Sequence, residues 1–196
     1  MNEVAISVKQ PWAYLLCAGI KPTENRTWPL PIKYIGKRVY IHASAKGEKR
    51  SYGCLTDDQR MSILHTSIAS INFKDLSLSA IIGYVEFSEC VINHPSIWTE
   101  KTPDYVVGIN PKIHEQITGN KIIYNWVVAN AVLFDKPIEN VKGKLSFWDC
   151  SNIIHSELDE DGKPVCMCNL GIDEKDQVIS YGDHCRCKYC DGKWYK

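Results

Sequence analysis

The sequence predicts an α+β domain built on a small mixed β-barrel with flanking helices, followed by a cysteine-rich, zinc-binding appendage. Three observations carry this expectation. Long β-rich runs outnumber helical periods through residues 1–150 and are broken by frequent turn residues. Short apolar periods of helical spacing, one behind a capping box, lie between the strands. Five of the nine cysteines fall within the last stretch, between Cys166 and Cys190. A chain of 196 residues, 44% hydrophobic and 23% charged, can bury a core in one ordinary domain and a little more. Disordered, collagen-like and coiled-coil classes are excluded by that composition.

The elements follow in order. Val4–Val8 reads as a short apolar strand. Pro11 suits the first position of a helix and Gly19 its stop, with Trp12, Leu15 and Leu16 at helical spacing between them. Arg38–His42 reads as a strand with Val39 and Ile41 on one face and Tyr40 and His42 on the other. Thr56-Asp57-Asp58-Gln59 is a capping box, and Met61, Leu64 and Ile68 mark an amphipathic helix behind it. Residues 80–91 and 122–134 are long β-rich runs, and Gly83 marks a bulge or bend in the first. The stretch 137–148 closes the domain with a hairpin-like Lys142-Gly143-Lys144 and a last apolar strand. The acidic stretch after it, poor in apolar residues, is a linker. The expected organisation is therefore a domain over 1–152, a linker over 153–165 and an appendage over 166–196.

Charge is balanced overall, with 23 basic and 23 acidic side chains, so a uniformly basic nucleic-acid coat is excluded. The distribution is uneven. Residues 1–50 carry nine basic and three acidic side chains, which makes this quarter the place to seek an anionic partner. There, Lys9, Lys21 and Arg26 lie close in sequence to Trp12 and Trp28. Cations beside aromatic faces supply what a single-stranded nucleic acid needs, charge for phosphates and flat surfaces for bases. Gln10 and Asn25 carry amides of the kind that read base edges. Core packing for the tryptophans and a surface ion pair for Lys21 and Glu24 are the alternatives.

The motifs Gln10-Pro11-Trp12, Gly19-Ile20-Lys21-Pro22-Thr23-Glu24-Asn25-Arg26 and Ile41-His42-Ala43-Ser44 closely resemble those of the ASCH domain family. The later segments beginning at Ile81, at Tyr124-Asn125-Trp126 and at Val141 resemble its remaining strands. The resemblance spans about residues 4–149 and implies a PUA-like pseudo-barrel with a cleft lined by the Lys-Glu-Arg segment. It implies binding of RNA or single-stranded nucleic acid, or of a nucleoside-like small ligand, through Lys9, Gln10, Trp12, Lys21, Glu24, Arg26, Trp28, His42 and Ser44. Some members of the family are hydrolases with a catalytic Lys-x-x-Thr pattern. Lys21 matches the lysine, but Glu24 stands at the threonine position and Thr23 is one residue early. Lys21 and Glu24 are accordingly the catalytic pair if the chain hydrolyses a modified nucleoside or nucleic acid. A protein-interaction adaptor is the remaining alternative.

The appendage is a separate chemical unit. Cys166 and Cys168, then Cys187 and Cys190, form two close pairs that each chelate one side of a tetrahedral zinc, with Cys185 and His184 as alternates. A segment this short and poor in aliphatics needs such a staple to fold, so the expected metal is structural. Cys17, Cys54, Cys90 and Cys150, scattered among apolar residues, read as small hydrophobes. The start has Glu3 and no apolar leader, and no apolar stretch is long enough to span a bilayer, so a cytoplasmic protein without a membrane partner is expected.

Overall fold

A computed structural model of the chain describes residues 3–46, 52–66, 68–154, 185–186 and 194–195. Its main feature is one curled sheet of six strands. These are β1 (Val4–Val8), β2 (Thr23–Arg26), β3 (Arg38–Ala43), β4 (Ala80–Ile92), β5 (Tyr124–Ile138) and β6 (Phe147–Asp149). They lie side by side in the order β2-β5-β4-β3-β1-β6. β1 and β3 run parallel, with Ser7 opposite His42, and the other strand pairings of the sheet are antiparallel. The helices are α1 (Trp12–Cys17), α2 (Asp57–Leu64), α3 (Pro111–Thr118) and α4 (Ser151–Ile154). Among the described residues, no helix is long and apolar enough to cross a membrane.

The sheet curls because its ladders slip. Register shifts occur between Ile41 and His42 in the β3–β4 ladder, and around Gly83 and Phe87 in the β4–β5 ladder. The bend expected at Gly83 is therefore present. A Cβ at Gly83 would collide with the Val132 carbonyl and come within 3.0 Å of Cys17 Sγ, so glycine lets α1 and β5 close on β4.

Both faces of the sheet are buried. Leu16 and Cys17 of α1 pack with Val39, Ile41, Val85, Phe87 and Trp126. Ala5, Tyr40, Ile81, Phe134, Trp148 and Ile154 form a second cluster. The alternation expected in β3 thus holds with core on both sides, each fully buried large side chain contributing about 1.5–3 kcal/mol. A third cluster, with Leu15, Leu55, Ile63, Phe73 and Trp98, lies between α1 and α2.

Several local expectations need correction. The capping box at Thr56 forms, but α2 buries Ile63, while Met61 and Leu64 are more than half exposed. The helix is too short for an extended apolar stripe, and one side chain anchors it. Pro11 occupies the N-cap of α1, one position earlier than expected, and the Gln10 side chain accepts from the Tyr14 N–H in its place. The turn at Lys142–Lys144 is not a hairpin. β5 pairs with β4 and β2, whereas β6 pairs with β1, so the loop carries the chain to the opposite side of the sheet. α4 packs on the domain, with Ile154 fully buried.

Candidate binding cleft

The end of α1 sets the cleft floor. Gly19 adopts φ +71°, and the N–H groups of Ile20 and Lys21 both donate to the Leu15 carbonyl at 3.0 and 2.9 Å. This turn aims the chain into β2 with Lys21 and Glu24 buried, at 3% and 6% exposure. Lys21 Nζ donates to Glu24 Oε2 at 3.1 Å and to the Thr23 carbonyl. The other oxygen, Glu24 Oε1, lies 3.0 Å from Arg26 Nε. Arg26 Nη2 donates to the Ser7 carbonyl at 2.9 Å. The Arg26 Nε–H is close enough for an ion pair, yet it is buried without an aligned hydrogen bond. One carboxylate thus holds two cations side by side. An ammonium has three N–H groups, and two of those on Lys21 meet acceptors, which leaves a donor for a ligand.

These side chains line a cleft of about 910 Å³ together with Lys9, Trp12 and Lys46. A further wall is the segment from Ile97 to Glu100, in which Trp98 is buried. The Trp12 and Trp98 rings meet edge to face, with centroids 6.4 Å apart. A network of neutral amides pins this wall. Asn25 Nδ2 donates to the Trp98 carbonyl at 3.0 Å. Asn125, fully buried in β5, donates to Asn25 Oδ1 at 3.1 Å and to the Glu100 carbonyl at 3.2 Å, and accepts from the His94 N–H at 3.0 Å. Sequence reasoning did not single out this wall. Its one signal was an asparagine between two aromatics in a strand, which asks for a structural partner.

The residues expected at the site divide into two groups. Lys9, Trp12, Lys21, Glu24, Arg26 and Ser44 line the cleft, and so does Asn25. Gln10 does not. It is 1% exposed, donates to the Ser77 carbonyl at 3.0 Å and accepts from Tyr14 at 3.0 Å, so no amide edge is left for a base. Trp28 packs edge-on against Trp126 and Phe147, at 4.6 and 5.7 Å, outside the cleft lining. Its polar sequence neighbours gave no hint of this aromatic cluster. Thr23 is buried against Thr99, with hydroxyls 3.3 Å apart, and does not substitute for a threonine at position 24.

His42 faces a second cavity, of about 650 Å³, rather than the cleft. Its Nε2 lies 3.0 Å from the Val141 carbonyl, which only accepts, so Nε2 carries the proton. In the neutral ring Nδ1 then accepts from the Ser7 hydroxyl at 3.1 Å. Burial lowers the His42 pKa, opposed in part by the Val141 bond, and favours that neutral form.

Cys17, Cys90 and Cys150 are free thiols. Burial raises the pKa of Cys17, and that of Cys150 to about 12, which makes both inert hydrophobic fillers. Among the described residues, no group of three or more His, Cys, Asp or Glu is placed to hold a metal. Cys166, Cys168, Cys187, Cys190 and His184 lie outside the described residues. The backbone at Cys185 belongs to a short strand β7 (Cys185–Arg186), antiparallel to β8 (Trp194–Tyr195).

A sequence model of the ASCH domain matches residues 6–160. No curated protein matches the chain. Among solved structures, the chain is similar to an ASCH protein of Zymomonas mobilis, at 13% identity and a TM-score of 0.41, with 76% of this chain and 87% of that one covered. Two mutant forms of the same protein match at 13% identity and a TM-score of 0.41, covering 78% of this chain and 93% and 90% of theirs.

Proposed function

The chain belongs to the ASCH domain family, and from that membership and the geometry of its cleft we propose that it binds RNA or another single-stranded nucleic acid. One observation carries the reading: Lys9, Lys21, Arg26 and Lys46 line the same cleft as the half-buried Trp12. The cations suit a phosphate, and Trp12, braced edge to face by the buried Trp98, gives a base an aromatic neighbour. The volume is within the range of cavities that hold a nucleotide-sized group.

The ion-paired floor favours binding over proton abstraction. A general base needs a free lone pair, whereas Lys21 is donating to two acceptors and both oxygens of Glu24 face cations. Lys21 and Arg26 therefore serve as electrostatic contacts. The test is a titration of tryptophan fluorescence with a short oligoribonucleotide at several salt concentrations. Binding that weakens steeply with salt, and less steeply after Lys21→Ala, is the expected result. No binding even at low salt overturns the reading.

For the appendage, we propose one structural zinc held by Cys166, Cys168, Cys187 and Cys190. The pairwise spacing supports it, as does the short β7–β8 ladder, which flanks Cys187 and Cys190 in sequence. Metal analysis of the purified chain is expected to find about one equivalent of zinc, lost on Cys187→Ser. A protein purified metal-free, under conditions that retain zinc in a control zinc protein, overturns it.

A further inference from the structure

The cleft does not end at its basic floor. Ser7, Ser44 and Ala45 line both the cleft and the second cavity, so the two spaces adjoin over β1 and the end of β3. Among the described residues, the second cavity is lined by Lys142, Lys144, Ser79 and Asn140, and by no carboxylate. This is a donor set for an anion, beside a cleft already suited to one.

The loop that walls this cavity is fixed in place. A Cβ on Gly143 would collide with the His42 ring and come within 2.7 Å of Ser7 Oγ, so Gly143 lies directly on the Ser7–His42 pair. The Val141 carbonyl accepts from His42 Nε2 at 3.0 Å, and the Lys144 carbonyl comes within 3.0 Å of Ser7 Oγ. Asn140 and Ser146 bracket the loop with φ of +59° and +57°. Holding non-glycine residues in this left-handed region is backbone strain of the kind that collects at ligand clamps. Lys142 and Lys144 are both solvent-exposed at the rim of this fixed loop.

We propose that the 140–146 loop forms a second subsite, beside the cleft, that takes the phosphate of the adjacent nucleotide, so that the protein selects a strand of two or more nucleotides over a single nucleotide. The inference rests on the nucleic-acid reading of the cleft. It adds a second phosphate contact and the residues that make it.

The test compares uridine 5′-monophosphate with tetra-uridylate in NMR titrations of the full chain. The wild type is expected to bind the tetranucleotide at least about tenfold more tightly, with a steeper salt dependence. Lys142→Ala/Lys144→Ala is expected to remove most of that gain and to lower the salt slope by about 1–2, while weakening the mononucleotide several-fold less. Gly143→Ala, which must lift the loop, is expected to act in the same direction, with thermal melting confirming that each variant is folded. A tetranucleotide bound no more tightly than the mononucleotide, or equal losses for both probes in the lysine variant, overturns the subsite. If the mononucleotide still binds and Lys21→Ala abolishes it, the cleft reading survives that loss. If the wild type binds neither probe, both readings fall together.

Discussion

Two buried polar clusters lie on either side of the cleft, and they are completed in different ways. Asn125 commits both N–H groups and its oxygen to Asn25, the Glu100 carbonyl and the His94 N–H, while Gln10 and Asn25 each tie one N–H and the oxygen to fixed neutral partners. The charged set of Lys21, Glu24 and Arg26 stops short: Arg26 Nε has no aligned partner and Lys21 has a donor to spare. Neutral amides tied to fixed backbone groups and to each other work as architecture. A charged cluster left partly open beside solvent works as a receptor. The difference shows that residue type alone does not separate structure from function at this site, because amides and cations both suit nucleic acid. The partners that each group already holds separate them.

Substitutions test the contrast from each side. Asn125→Ala should have the largest effect. It strips partners from Asn25, His94 and Glu100, and unfolding measurements should show a loss of roughly 3 kcal/mol, given about 1–3 kcal/mol for each buried group left unsatisfied. A loss below about 1 kcal/mol would mean that the wall is held by other contacts. Lys21→Met should reverse the balance. Glu24 keeps Arg26, so stability falls by only about 1–2 kcal/mol, while oligoribonucleotide affinity falls about tenfold and the salt slope by about one. Unchanged affinity would make the charged cluster architecture as well.

The smallest effect is a pH slope at His42. Its folded pKa lies below the unfolded value of about 6.5, because burial disfavours the charged ring. The unfolded state therefore takes up a proton that the folded state refuses. Its contribution to stability is complete above about pH 6.5 and is lost as the pH falls below that value. Denaturation midpoints of the wild type and His42→Gln should diverge less at pH 5.5 than at pH 7.5. Parallel curves would show that the ring is no more constrained than in the unfolded chain.

Much of the fold was legible in the sequence. β1, β3 and the long runs in β4 and β5 follow from apolar alternation, the α2 start from its capping box, and the α1 stop from Gly19. The bend at Gly83 follows from a glycine inside a strand. What escaped depended on distant partners. Nothing local in Phe147–Asp149 says that it pairs with β1 rather than folding back on β5. Trp28 joins Trp126 and Phe147 across about a hundred residues of chain. α3 was missed although its signals were present, with Asn110 capping, Pro111 at its start and Gly119 at its stop. In the cleft, the cationic floor was legible because Lys21, Glu24 and Arg26 fall within six residues, at the entry to β2 and along it. The wall at Ile97–Glu100 was not, because it is brought there by Asn125 from another strand.

The place of β1 in the sheet also bears on how the chain is made. Its parallel partner β3 lies within the first 43 residues, but its other neighbour, β6, ends at Asp149. At a synthesis rate of about 5–20 residues per second, the ribosome needs on the order of 10 s to reach that strand. Through that interval one side of an apolar strand has no hydrogen-bonding neighbour from its own sheet. The nascent chain therefore carries an open edge of the kind that recruits foreign strands. Interruption of translation before residue 147 would leave a protein with most of its core sequence and a permanently unfinished sheet, a natural client for chaperones that guard β edges.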